Sequence, residues 1–181
     1  MSADYEYVKV EARRLLACCN VQKPPISLSS ICDHLDIVLA EHTLGSRDAA
    51  LMNSQLTDTV LIMVNPNKIR HRQRFSIAHE IGHYVLEHPS VAFSGGDGYM
   101  QTPEEERQAD IFAAELLMPE HFLLHCWAIG KLDTHNVSQI FDVSKKAATT
   151  AVNFTYMSHP ELLDKRRRNY WEASYLLPIS I

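Results

Sequence analysis

The stretch Ala-His-Glu-Ile-Gly-His-Tyr at residues 78–84 contains a His-Glu-x-x-His motif. The surrounding apolar side chains recur at helical spacing, and Pro89 is expected to end the helix. On a helix, His79 and His83 lie one turn apart and about 40° around the axis, so both imidazoles can reach one small cation. Glu80 lies beside that face, where a carboxylate can take a proton from a metal-bound water. The motif therefore predicts a helical metal site.

A second predicted helix offers the third ligand that catalytic zinc sites typically have. Thr102-Pro103-Glu104-Glu105 fits a capping box with proline at the first helical position, so a helix is expected from Pro103 to about Leu117. Glu106 and Asp110 are four residues apart and share one face of it. Glu106 could bind the metal while Asp110 accepts a hydrogen bond from a ligating histidine. Glu105 is the alternative to Glu106.

The rest of the chain indicates an α+β fold. The other predicted elements are an amphipathic helix over residues 4–19, a short helix from Ser27 to about Leu35, a strand at 37–40, a strand region at 49–65 whose clearest strand is 60–64, and mainly helices from 120 to 181.

The two motif segments together resemble one family. Residues 74–84, RFSIAHEIGHY, and residues 106–119, ERQADIFAAELLMP, closely resemble the ImmA/IrrE family of zinc peptidases, in the same order. The resemblance implies a zincin-like metallopeptidase core with a two-helix zinc site beside a small antiparallel sheet, and the N-terminal helix and this core together occupy residues 1–119. A mainly helical C-terminal region would then occupy residues 120–181.

The resemblance also implies a function. Several members cleave or inactivate a helix-turn-helix transcriptional repressor, which indicates a zinc metallopeptidase in stress, mobile-element or prophage regulation. By this resemblance His79, His83 and Glu106 bind Zn²⁺ and Glu80 is the catalytic base. Asp110 departs from the asparagine that is frequent in the family, so its role beside a ligand rests on its spacing from Glu106.

Hydrolysis by zinc-activated water is implied, and the substrate would add as an extended strand along a sheet edge, expected at residues 60–65. Four residues remain candidates for stabilising the oxyanion: Tyr84, Tyr99, His88 and His121. Two other functions stay open. The chain could be the toxin component of a toxin–antitoxin pair with a repressor-like antitoxin, or a binding module that keeps the fold without catalysis.

Residues 137–148 resemble a helix-turn-helix, but only two lysines occupy the second helix and the formal net charge is −5. Direct nucleic-acid binding is therefore not expected, and the segment is interpreted as a packing module. The basic run at 165–168 is interpreted as a solvated helix face. Of the 10 histidines, only His79 and His83 are expected at a metal, although His121 and His125 are also four residues apart.

The composition is that of a globular domain, with 46% hydrophobic and 22% charged residues. No apolar run approaches the length of a membrane span, and no secretory signal is visible, so neither a membrane partner nor export is expected. The four cysteines lack CxxC spacing and are expected to be reduced and buried. A cytoplasmic location is predicted.

Overall fold

A computed structural model describes residues 5–54, 59–89 and 101–164. The chain divides into two compact units, the first from the ranges Met1–Val21 and Ser27–Leu116 and the second from Gln22–Ile26 and Leu117–Ile181. Within the described residues there are seven α-helices, one 3₁₀ helix and a three-stranded sheet. The predicted α+β class is confirmed.

The first unit contains the helices and strands around the predicted metal site. They are α1 (Glu6–Cys18), α2 (Leu28–His34), β1 (Ile37–Glu41), β2 (Ala49–Ser54), β3 (Thr59–Val64), α3 (Arg70–Val85) and α4 (Pro103–Leu117), whose last residue begins the second unit. Helix α1 buries one apolar stripe, as its amphipathic pattern predicts. In α2, the hydroxyl of Ser27 accepts a hydrogen bond from the Ser30 amide and caps the helix.

The sheet is mixed, whereas an antiparallel sheet was expected. Its strand order is β1-β3-β2: β2 is antiparallel to β3, and β1 is parallel to β3. The reason is that β3 turns back from β2 and lies between the two earlier strands. The expectation that residues 60–65 form a substrate-binding edge is therefore wrong, because β3 is hydrogen-bonded on both sides and has no edge to offer.

Strand β3 is the central strand of the described sheet, with β1 at one edge and β2 at the other. The amide of Asn65 donates to the carbonyl of Asp48, which makes these residues a hydrogen-bonded pair of the antiparallel ladder. Such pairs alternate along the strand, so Ala50 bonds to β3 while the main-chain groups of Ala49 and Leu51 point away from it. Edge strand β2 therefore presents peptide groups at every second residue.

The second unit is helical in its described part. It contains α5 (Glu120–Ala128), α6 (Thr134–Ile140), α7 (Lys145–Ser158) and a 3₁₀ helix (Pro160–Leu163). A short turn with Asp142 in the left-handed region (φ 53°) joins α6 to α7, and Ser144 caps α7. The Trp127 indole donates to the Leu162 carbonyl at 3.0 Å. The basic run at 165–168 lies outside the described residues.

None of the described helices is long and apolar enough to cross a membrane. The four cysteines are all free thiols. Cys32 and Cys126 are buried as expected, and burial raises the pKa of each thiol to about 11. Cys18 is exposed and Cys19 half-buried, so the expectation of burial is wrong for this pair, which lies at the end of α1 beyond its apolar stripe.

Candidate metal centre

The two motif histidines and one glutamate meet between α3 and α4. The Nε2 atoms of His79 and His83 are 3.0 Å apart. The Glu106 carboxylate reaches both, with one oxygen 3.5 Å from His79 Nε2 and the other 3.5 Å from His83 Nε2. One ligand atom from each residue lies within 4.8 Å of the other two. These residues are the set predicted from the sequence, and they could hold one cation.

A glycine allows the two helices to approach each other. A Cβ atom on Gly82 would lie 3.1 Å from Phe112 Cδ1 and 3.3 Å from the Ala109 Cα. Phe112 and Ala109 are fully buried, so they have little room to retreat. The sequence motif drew attention to the histidines and not to Gly82, although this residue brings α4 within reach of them.

The start of α4 decides which glutamate is free to reach the histidines. The Thr102 hydroxyl accepts from the Glu105 amide at 3.2 Å, and the Glu105 carboxylate accepts from the Thr102 amide at 2.7 Å. The predicted capping box is thus confirmed. Because Glu105 caps the helix, it is Glu106 that turns toward His79 and His83.

His79 is oriented from its other nitrogen. Its Nδ1 lies 2.9 Å from an Asp110 carboxylate oxygen. A carboxylate only accepts hydrogen bonds, so Nδ1 carries the proton and Nε2 presents a lone pair toward Glu106 and His83. The structure therefore brings Asp110 to the atom of His79 where a carboxylate fixes the tautomer of a metal ligand.

The environment of His83 keeps its ring neutral. The residue is 2% exposed. Burial, with smaller contributions from His79 and His88, lowers the pKa of His83 to about 4. At neutral pH the imidazole is therefore uncharged, and a neutral imidazole is the form that binds a metal.

Glu80 lies next to this group but is held by the sheet. One of its carboxylate oxygens accepts a hydrogen bond from the Leu51 amide of β2 at 3.0 Å. Burial raises the pKa of Glu80; Glu106 adds to the increase, while His79, the Leu51 amide and Arg47 oppose it. A raised pKa makes the carboxylate a better proton acceptor. The main-chain donor at Leu51 had no signal in the sequence.

A cleft of about 430 Å³ opens beside Glu80. It is lined by residues of the loop before β2, of the start of β2, of α3 and of α4, namely Arg47, Asp48, Ala49, Arg72, Phe75, Ser76, His79, Glu80 and Asp110. The buried Asn65 amide donates to the carbonyls of Gly45 and Arg47, which ties this loop to the end of β3. His79, Glu80 and Ala49, the first residue of edge strand β2, thus line one opening.

The four residues predicted as candidates for stabilising the oxyanion lie in different places. His88 touches His83 on its Nδ1 side, away from Glu106. That position is behind the metal ligand, so it does not suit the role. Tyr99 lies outside the described residues, and His121 belongs to the second unit. Tyr84 follows His83 on α3 and stays a candidate.

Comparison with known proteins gives two matches. The family model described as the IrrE N-terminal-like domain, a peptidase family, matches residues 32–153. The chain is 35% identical over 94 residues to metallopeptidase ImmA of Bacillus subtilis (strain 168). That alignment covers 51% of this chain and 54% of the relative, so the chain spans about half the length of the curated relative it matches.

Proposed function

The chain belongs to the peptidase family of the IrrE N-terminal-like domain, and from this premise we propose that it is a zinc-dependent peptide hydrolase. The observation that carries the proposal is the convergence of His79, His83 and Glu106 beside the carboxylate of Glu80. Two imidazoles and one carboxylate form a ligand set known from catalytic zinc sites, in which a fourth position is left for water or substrate.

In this proposal His79, His83 and Glu106 hold the metal. Their fit rests on the short distances between ligand atoms and on the neutral ring of His83. Zinc supplies Lewis acidity, since it lowers the pKa of a water that it binds to about 7 and polarises a carbonyl group. Asp110 orients His79, as described above.

Glu80 carries the proton. It takes a proton from the attacking water and passes it to the amine that leaves when the peptide bond breaks. The Leu51 amide holds one oxygen of this carboxylate, which leaves the other oxygen for the proton transfer. Burial supports the role, because a raised pKa makes Glu80 a better acceptor for the proton of the attacking water.

The substrate adds as an extended strand along β2. The peptide group of Ala49, which lines the cleft, and the carbonyl of Leu51 point away from β3, and main-chain pairing of this kind binds extended peptides. We propose a helix-turn-helix repressor as the substrate, on the strength of the family resemblance in residues 74–84 and 106–119. The net charge of −5 supports a basic protein partner over nucleic acid. The free thiols fit action in the cytoplasm.

The test separates metal binding from chemistry. Glu80→Gln should retain zinc and lose cleavage of a helix-turn-helix repressor that the unsubstituted chain cleaves, because an amide cannot accept the proton. Glu106→Ala should lower zinc affinity. Glu41→Gln changes an exposed acid at the end of β1 and serves as the control. Cleavage that persists in Glu80→Gln would refute the proposed mechanism.

The toxin alternative makes a different prediction. Expression of the chain alone would then arrest growth, and a repressor-like protein incubated with the purified chain would stay intact. Glu80→Gln would show whether that arrest depends on the same carboxylate.

A further inference from the structure

The end of helix α3 brings a third histidine to the metal centre. The Glu87 amide donates to the Tyr84 carbonyl at 3.2 Å, and the His88 amide donates to the His83 carbonyl at 2.9 Å. Glu87 has a positive φ of 55°. These are the bonds and the left-handed residue of a Schellman motif, which folds the chain back over the last helical turn. This turn places His88 next to His83.

The two side chains meet through one nitrogen of each ring. His83 Nδ1 and His88 Nδ1 are 2.9 Å apart, and the ring centroids are 5.0 Å apart at an interplanar angle of 66°. Glu106 and His79 face the other nitrogen of His83, Nε2. His88 thus supports the ring from behind and is not placed to bind the same cation.

The contact continues into α4. His88 Nε2 is 2.9 Å from the Gln108 Oε1 atom, and the Gln108 Nε2 atom donates to a Glu104 carboxylate oxygen at 3.3 Å. Because a carboxylate only accepts, the NH₂ group of Gln108 faces Glu104 and its carbonyl oxygen faces His88. His88 must then donate from Nε2.

The direction of every other hydrogen bond in this series follows. A neutral His88 that donates from Nε2 has a lone pair on Nδ1, so His83 must donate from its own Nδ1. His83 then has its lone pair on Nε2. Asp110 imposes the same tautomer on His79. Two lone pairs thus face each other across 3.0 Å beside a carboxylate, an arrangement that a cation stabilises.

We propose that His88 is a positioning residue, which fixes His83 in the tautomer that presents Nε2 to the metal, with its own proton position set by Gln108 and Glu104. The proposal rests on metal binding at the proposed site and does not require that the site cleaves peptides. Helix α4 then orients both ligating histidines, one directly through Asp110 and the other through Gln108 and His88.

Two substitutions at one position test the proposal. His88→Leu removes the acceptor and should weaken zinc affinity by about 10–100-fold, the range found when partners of metal ligands are lost. His88→Asn places a side-chain oxygen where Nδ1 stood, so it should restore most of that loss. His34→Leu makes the same change at an exposed histidine of α2 and should leave the affinity unchanged. Competition with a chromogenic chelator measures the affinity.

A second measurement does not depend on any substitution. Nitrogen-15 NMR of the zinc-free chain should show His83 protonated on Nδ1 and His88 on Nε2. The reverse tautomers would overturn the proposal, as would a His88→Leu variant that binds zinc within about twofold of the unsubstituted chain. Absence of cleavage in a chain that passes both tests would refute the hydrolase and leave the role of His88 standing.

Discussion

Gly82 of α3 and Ala109 of α4 mark a point of close approach, and the metal-centre residues lie at matching distances along the chain from it. His79 and His83 are three residues before and one after Gly82, while Glu106 and Asp110 are three before and one after Ala109. A Cβ on Gly82 would lie 3.3 Å from the Ala109 Cα. The spacing between the helices at this point therefore sets the distances in the site.

Gly82→Ala should weaken zinc binding while the chain still folds. The added methyl group improves helix propensity by up to about 1 kcal/mol, but overpacking costs about 1–3 kcal/mol unless α4 moves outward. Because Glu106 moves with α4, we expect zinc affinity to fall on the order of tenfold, equivalent to about 1.4 kcal/mol. Chelator competition and a denaturant melt of the metal-free chain measure the two effects, and an unchanged affinity would show that the helix spacing does not govern the site.

Proline substitutions at two adjacent positions of β2 test whether the substrate pairs with the outer edge of this strand. Ala49→Pro removes an amide that points away from β3, so the peptide KM should rise with little loss of stability. Ala50→Pro removes an amide that pairs with β3, and should cost on the order of 1–3 kcal/mol of folding free energy. Zinc affinity of the Ala49 variant serves as the control. Equal peptide KM values for Ala49→Pro and the unsubstituted chain would argue against strand addition.

The ion pair between Arg13 of α1 and Glu115 of α4 should contribute more to the free energy of folding than the pair of Arg14 with Glu11 within α1. Arg13 Nε lies 2.7 Å from the carboxylate of Glu115, which is buried. Arg13→Met breaks this pair and the more exposed pair with Glu6, and should destabilise the fold by about 1–2 kcal/mol, discounted because a third of the arginine side chain is exposed. Arg14→Met breaks only the exposed pair with Glu11 and should cost less than about 0.5 kcal/mol. Equal losses in urea unfolding would contradict this ranking.

Glu87→Gly should stabilise the chain. Glu87 holds the left-handed position of the Schellman turn, where a Cβ costs about 1–2 kcal/mol and glycine is free of that cost. The greater freedom of glycine in the unfolded chain offsets part of the gain, which leaves about 0.5–1 kcal/mol. Glu87→Ala keeps the Cβ and should gain nothing, so a comparable gain in both variants would place the cause elsewhere.

His159 should make the stability of the chain pH-dependent. A hydrogen bond to Glu120 raises the pKa of His159 above 6.5, burial opposes this, and Glu161 adds to the increase. The folded state thus binds the proton more tightly than the unfolded state. The resulting stabilisation is complete below about pH 6.5 and is lost as the pH rises through the folded-state pKa. Urea unfolding from pH 5.5 to 8.5 should show this loss, and His159→Gln should remove it. Parallel profiles for the two chains would contradict the assignment.

Local patterns predicted which side chains α3 and α4 bring together. The spacing of His79 and His83 joins residues within one or two turns of a helix, and so does the capping box that begins α4. Over this distance the helical repeat determines where the side chains lie. The same holds for the apolar stripe of α1. Such features need no knowledge of what the segments pack against.

Features that depend on distant pairing were missed. Nothing within β3 indicates that it lies between β1 and β2, because strand order is set by contacts outside the strand. The Leu51 amide acts through its main chain, which every residue shares. The return of His88 to His83 requires a left-handed residue where glycine is usual, and Glu87 gives no such signal.

The first two turns of α4 contain Glu104, Glu106, Gln108 and Asp110, so one short segment would contribute the proposed third ligand and orient both histidines. Metal occupancy and the local folding of this segment would therefore be thermodynamically linked. Zinc should slow amide hydrogen exchange over residues 103–110 far more than elsewhere in the helix, and fraying of these turns should release the ion in one cooperative step. The supply of zinc would thus determine whether the N-terminal end of α4 stays folded.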